Sequence, residues 1–211
     1  MQNQKVIISK NNRLIVKRCI LVISLLLIIF GIVLFSNNIS NNNHISKVDS
    51  ESLKAFFSHN NINAEMKTTE DNSKKEIINY MAVIEIPSIN LIHGIPYPGK
   101  DNTVDRNIQI INPISLPDMV NGNFILASHS GSSSISYFKK LNKIKENDKV
   151  YIYYDNVKYI YKVNNQYLVD KGHVSIRRDH SQSTLTLITC DKKDDTKQLV
   201  VIAYLQNTEK Y

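Results

Sequence analysis

Residues Cys19–Phe35 read CILVISLLLIIFGIVLF, an uncharged run interrupted only by Ser24 and Gly31. An apolar helix of this length has few places to go. A bilayer core takes about 20 apolar residues, and this run is near the lower limit for a span. Lys5, Lys10, Arg13, Lys17 and Arg18 precede it, and no acidic residue does. A basic flank stays on the cytoplasmic side, which puts everything after Phe35 outside. A cleaved signal peptide would want a small-residue cleavage site, and Ser36-Asn37-Asn38 is a poor one. Residues 19–36 therefore read as an uncleaved transmembrane anchor behind a basic cytoplasmic N-terminus, 1–18.

The formal net charge is +7. Part of it is this N-terminal cluster, which an anionic inner leaflet attracts. The remainder is lysine scattered among asparagines. No basic run is interleaved with aromatics on one element, so nucleic acid is not an expected partner. Residues 37–79 are polar, rich in Asn, Ser, Lys and Glu, and suit a spacer. A short helix around Glu51–Phe57 would put Leu53, Phe56 and Phe57 on one face.

The pattern changes at Tyr80. Met81–Ile86 is a strand stopped by Pro87, and Leu91–Ile95 is a second. Asn107–Ile111 is a third candidate, and Gly122–His129 reads as a buried strand. Ile135, Phe138 and Leu141 fit a short helix over 132–141. Lys149–Tyr154 and Val157–Val163 alternate around Asp155-Asn156, a hairpin turn, with Tyr167–Val169 as a possible extension. Thr184–Thr189 and Gln198–Leu205 close the series. Seven or eight short strands and one or two short helices in 80–211 point to a mainly β domain, a closed or nearly closed barrel.

Cys190 ends the run Thr184-Leu185-Thr186-Leu187-Ile188-Thr189-Cys190. The only other cysteine is Cys19, within the anchor. A lone thiol outside the cytoplasm is open to oxidation, and nucleophilic chemistry is a good reason to keep one. Alternation sends Leu185 and Leu187 into the core and Cys190 to the other face. A working thiolate needs a cation or an imidazole nearby. His129, between an apolar strand and a Ser/Gly-rich turn, is the best placed of six histidines. His44 and His59 fall in the spacer, and His93 lies among apolar residues. His173 and His180 precede the Cys190 strand.

These residues match a family. Thr186-Leu187-Ile188-Thr189-Cys190 resembles the sortase signature Thr-Leu-x-Thr-Cys. Asn123–His129 resembles the sortase strand that ends in the catalytic histidine. Tyr137–Leu141 and Asp148–Ile152 are similar to segments usual after it, and Glu85–Ile89 to the opening Ile-Pro-x-Ile. The resemblance covers about Met81–Leu205. It implies an eight-stranded barrel enzyme of Gram-positive cell membranes, a cysteine transpeptidase; no cofactor or metal is expected for this chain. Its implied partners are secreted proteins carrying a Leu-Pro-x-Thr-Gly-like sorting signal and a cell-wall precursor amine. Cys190 would attack the Thr–Gly carbonyl to form a thioacyl enzyme, and His129 would protonate the leaving amine.

The family's third catalytic group is an arginine at the start of the last strand. No arginine follows Cys190 here. Counting back from Ala203 lands on Gln198, and a one-residue shift gives Lys197. Arg177 and Arg178, in the loop before the Cys190 strand, are further candidates to reach the groove. Thr189 and Ser128, beside the catalytic pair, are expected to contact substrate. The short 170–183 loop disfavours class B, and the lack of a lid motif disfavours class C, leaving a class A, D or E type. Glu85, Asp101, Asp105 and Asp118 form no recognisable calcium loop. A thiol hydrolase of sorting signals and an inactive membrane-tethered binding module are the competing uses of the same residues.

Overall fold

A computed structural model of the chain describes residues 21–36, 47–58, 78–100, 102–111, 115–172 and 181–211. The chain divides into two compact units, Met1–Ser46 and Lys47–Tyr211. In the first, helix α1 (21–36) leaves its apolar side chains roughly half exposed or more. Among the described residues no helix is long and apolar enough to cross a membrane. The expected span begins at Cys19, outside them.

The second unit is one eight-stranded sheet. Its strands are β1 (Tyr80–Ile86), β2 (Leu91–Pro96), β3 (Gln109–Ile110), β4 (Asn123–Ala127), β5 (Lys149–Tyr154), β6 (Val157–Asp170), β7 (Thr184–Cys190) and β8 (Lys197–Lys210). Their spatial order is β2-β1-β5-β6-β8-β7-β4-β3. The end strands β2 and β3 approach each other, so the barrel is nearly closed. Neighbours are antiparallel except β4 and β7, which run parallel. Inside lie fully buried Ile84, Ile86, Phe124, Leu126, Ile152, Tyr161, Leu185 and Leu187. Each such side chain withdrawn from water contributes about 1.5–3 kcal/mol.

Local chemistry sets the turns. Asp155 and Asn156 both have positive φ, 47° and 59°, as a two-residue type I′ hairpin requires. β6 does not stop at Val163 but continues to Asp170, with register shifts between Ile160 and Tyr161 and between Val163 and Asn165. Expected strand 107–111 shrinks to two paired residues.

The helix expected over 132–141 is instead a series of turns. Ser136 N donates to Ser133 O, Lys139 N to Ser136 O and Leu141 N to Phe138 O. These are three-residue steps, and only Leu141–Lys143 completes a short 3-10 helix. Strict spacing by three suits that geometry better than an α-helix. The serines also compete for the backbone's hydrogen bonds.

Part of the polar stretch before Tyr80 belongs to this unit. Helix α2 (47–58) packs on the barrel. Ser52 is buried; its hydroxyl donates to Val48 O at 2.8 Å and accepts from Ile78 N at 3.0 Å. The Phe57 ring meets Tyr153 edge-on, centroids 5.2 Å apart. Asp49 Oδ1 receives the Tyr80 hydroxyl at 2.7 Å and lies 3.1 Å from His93 Nδ1.

Candidate active site

β7 is the central element of the site because it sits between β4 and β8. Phe124 and Leu126 of β4 pair with Leu185 and Leu187, and Ala203 and Val201 of β8 face the same two leucines. All six belong to the core. The alternate residues Thr184, Thr186, Ile188 and Cys190 therefore share the opposite face. There Thr186 Oγ1 donates to Asn123 Oδ1 at 2.7 Å, both groups buried. Val200 and Ile202 form a second apolar cluster on this face with Ile188, Val169 and Tyr204.

The parallel register brings the thiol and the imidazole to one rim. Ala127 pairs with Ile188, Ser128 N donates to Ile188 O at 3.2 Å, and Thr189 Oγ1 donates to Ser128 O at 2.7 Å. One residue further on each strand stand His129 and Cys190. Cys190 is a free, exposed cysteine, and the His129 side chain is 39% exposed. The backbone of His129 is held from the far side, since Phe138 N donates to His129 O at 3.1 Å. An exposed thiol and an imidazole on a held backbone thus stand at the same rim.

Gln198 pairs directly with Cys190 across β7 and β8, so both side chains lie on the same face. Lys197 points the other way. Its Nζ is 2.6 Å from Asp170 Oδ1, the β6 residue opposite it. This bond to Asp170 raises the Lys197 pKa and keeps the ammonium charged. The cation is therefore directed to Asp170, and Gln198 is the residue that shares the face of Cys190.

Thr189 and Ser128, expected to contact substrate, are buried instead, at 5% and 4% exposure. The Thr189 hydroxyl ties the two site strands together. Arg177, Arg178, His173, His180, His44 and His59 lie outside the described residues. His93 is a buried interior histidine held by Asp49.

The sequence reading missed Asp105 as a partner of His129. Asp105 Oδ1 is 3.3 Å from His129 Nε2. With Nε2 turned to that carboxylate, Nδ1 is the ring nitrogen not engaged there. A single aspartate in a polar loop carries no sequence signal for this role. Among the described residues no three His, Cys, Asp or Glu side chains gather as metal ligands.

Comparison with known proteins identifies the family and the fold. The family model described as the Sortase domain matches residues 84–206. Sortase A of Listeria monocytogenes is 34% identical over 93 residues, 44% of this chain and 42% of that protein. Sortase A of Bacillus anthracis is 29% identical over 140 residues, 64% of this chain and 63% of that protein. The chain thus spans less than two thirds of either relative. The crystal structure of Listeria sortase A superposes with a TM-score of 0.55 at 25% identity, covering 63% of this chain and 90% of that one. The sortase D5 transpeptidase of Clostridium perfringens shares the fold, with a TM-score of 0.59 at 20% identity over 76% of this chain and 99% of that one. The mainly β, nearly closed barrel expected from the sequence is the sortase fold, and this chain belongs to the sortase family.

Proposed function

We propose that the chain is a cysteine transpeptidase that cleaves a Leu-Pro-x-Thr-Gly-like sorting signal at the Thr–Gly bond. The observation that carries this reading is the shared rim of β4 and β7, where His129 follows the end of β4 and Cys190 ends β7. The Cys190 thiolate adds to the threonine carbonyl carbon, and the carbonyl π electrons move onto oxygen. The Gln198 side-chain N–H donates to that oxyanion in place of a guanidinium. Collapse re-forms the carbonyl and breaks the C–N bond, while the His129 imidazolium gives its proton to the departing glycine amine. A cell-wall amine then attacks the thioester, loses a proton to His129 and releases the Cys190 thiolate. No cofactor enters this sequence.

Residues 19–36 are proposed to anchor the enzyme in the cell membrane, with 1–18 cytoplasmic and the barrel outside. The half-exposed apolar side chains of α1 and the basic residues before it support this. Resistance of the full chain to alkaline extraction from membranes tests it, and release into the soluble fraction refutes it.

A second reading is favoured by one observation: the position facing Cys190 is an uncharged Gln198. On that reading the chain binds sorting signals without turnover, or passes the acyl group only to water. The full chain in detergent micelles should be incubated with a panel of Leu-Pro-x-Thr-Gly-like peptides, with and without an amine. Mass spectrometry reads the products. A Cys190-dependent thioacyl adduct that yields the amine conjugate supports transpeptidation. Hydrolysis alone, unchanged by added amine, supports the hydrolase. No adduct with Cys190 still alkylatable leaves the binding module.

A further inference from the structure

Asp49 lies far from Cys190 in sequence, yet contacts connect it to the His129 loop. Asp49 comes from α2 and holds His93 of β2 through Nδ1. The His93 ring is buried and stacks flat on Tyr137, centroids 3.7 Å apart and planes 19° apart. Its Nε2 is enclosed without a hydrogen-bond partner, so stacking and the single Asp49 contact fix the ring. Gly94, the next residue, leaves room for the Tyr80 ring, which a side chain there would strike. The Tyr80 hydroxyl is the second ligand of Asp49.

Tyr137 reaches both supports of His129. Its neighbour Phe138 holds the His129 carbonyl through N–H. Its hydroxyl makes a long hydrogen bond, 3.4 Å, to Arg106 O, in the turn that carries Asp105. Burial and the Asp49 charge push the Tyr137 hydroxyl pKa up to about 12, so this group stays a neutral donor at ordinary pH.

We propose that Asp49, His93 and Tyr137 form a positioning stack through which helix α2 sets the geometry of His129. The stack touches neither substrate nor the reacting atoms; it acts through the loop and the turn on either side of the imidazole. The proposal rests on the reading of His129 as the proton carrier. It makes the segment just before the barrel part of the enzyme and not a passive tether. A displacement of the imidazole by a fraction of an ångström is enough to cost rate, since catalysis depends on near-attack geometry.

The test uses the full chain in detergent micelles, labelled with 13C on histidine ring carbons, with the His129 signal assigned by its loss in His129→Asn. The variants are Asp49→Ala, Tyr137→Leu and Tyr137→Phe, each checked by thermal melting. Asp49→Ala and Tyr137→Leu should shift the His129 ring signal and lower kcat on the order of tenfold with little change in KM. Tyr137→Phe keeps the stacked ring and loses only the long hydrogen bond to Arg106 O, so it should recover most of both readouts. Folded Asp49→Ala and Tyr137→Leu proteins with an unmoved His129 signal overturn the proposal, as does a Tyr137→Phe protein as impaired as Tyr137→Leu. Should Asp49→Ala fail to fold, Asp49→Asn keeps the side-chain volume and is read in the same way. The ring signal needs no turnover, so a chain that proves inactive as a transpeptidase still decides the matter.

Discussion

Replacing Gln198 by Arg should make the enzyme faster. Gln198 and Cys190 are directly opposed in an antiparallel ladder, where facing Cβ atoms stand about 4.5–5.5 Å apart. An oxyanion formed on the Cys190 acyl carbon is then within reach of a side chain at 198. Cys190 is exposed and Gln198 only half-buried, so water screens the site and modest values apply. A neutral donor on the oxyanion already makes a hydrogen bond to a charged group, worth about 1.5–3 kcal/mol, and a guanidinium adds the attraction of two opposite charges, about 1 kcal/mol in a water-screened site. The added attraction, about 1 kcal/mol, converts to roughly fivefold in kcat/KM. Gln198→Ala removes the donor and should cost about 1.5 kcal/mol, roughly tenfold. Lys197→Ala should leave the rate within about twofold, because its ammonium is turned to Asp170. The assay is release of a quenched fluorophore from a sorting-signal peptide, with the amine conjugate quantified by mass spectrometry. A Gln198→Ala enzyme at the parental rate, together with an impaired Lys197→Ala enzyme, would refute the assignment of the oxyanion donor to position 198.

The other expectations concern the thiol, the site strands and alkaline stability. Cys190→Ala should abolish the thioacyl adduct without lowering the melting temperature, since the thiol is exposed; a marked drop would contradict its placement off the core. His129→Ala should end turnover while Cys190 remains open to alkylation, and retained turnover would move the proton transfer elsewhere. Thr186→Val leaves the buried Asn123 carbonyl oxygen without its 2.7 Å donor and should destabilise the barrel by about 1–3 kcal/mol in urea unfolding. Burial and hydrogen bonding to Asp49 raise the Tyr80 hydroxyl pKa, and burial raises that of Tyr161. Unfolded tyrosines ionise from about pH 10 while these stay protonated in the fold. Below that pH both states hold their protons, so this contribution is constant. Above it the unfolded state binds fewer protons and stability falls. Unfolding midpoints that hold level well above pH 10 would count against buried, protonated tyrosines.

The parts of the fold that sequence disclosed are those governed by short-range alternation. Thr184–Cys190 alternates cleanly because one face meets the core and the other does not, so both strand and thiol orientation were legible. Asp155-Asn156 specified its turn through two residues that tolerate positive φ. The extension of β6 was signalled by Tyr167–Val169, while the exposed polar stretch Asn164–Gln166 that joins them to Val163 carries no strand signal of its own and is held by the pairing of β6 with β8. Serines 132–134 and 136 overrode the spacing that suggested a helix. Helix α2 was legible as a helix, but its attachment through Asp49 was not, because a single carboxylate gains meaning only from the Tyr80 and His93 it meets. Asp105 was missed for the same reason. Gln198 could be placed by counting, yet only the register shows which of Lys197 and Gln198 faces Cys190.

The parallel pairing of β4 with β7 also governs when the site can come into being during folding. The strand carrying Cys190 lies between one made earlier, β4, and one made later, β8. Its two borders therefore cannot both form until the chain beyond Cys190 has been delivered. Long-range, parallel closure of this kind is among the slower steps a small domain takes. His129 precedes four of the eight strands, so half of the barrel is still to be assembled when it is made. A chain emerging N-terminus first carries an isolated thiol and an isolated imidazole, neither of them an acylating device. On the proposed reading of the site, the thiol and the imidazole come together only once the last strand is in place, a timing set by connectivity alone.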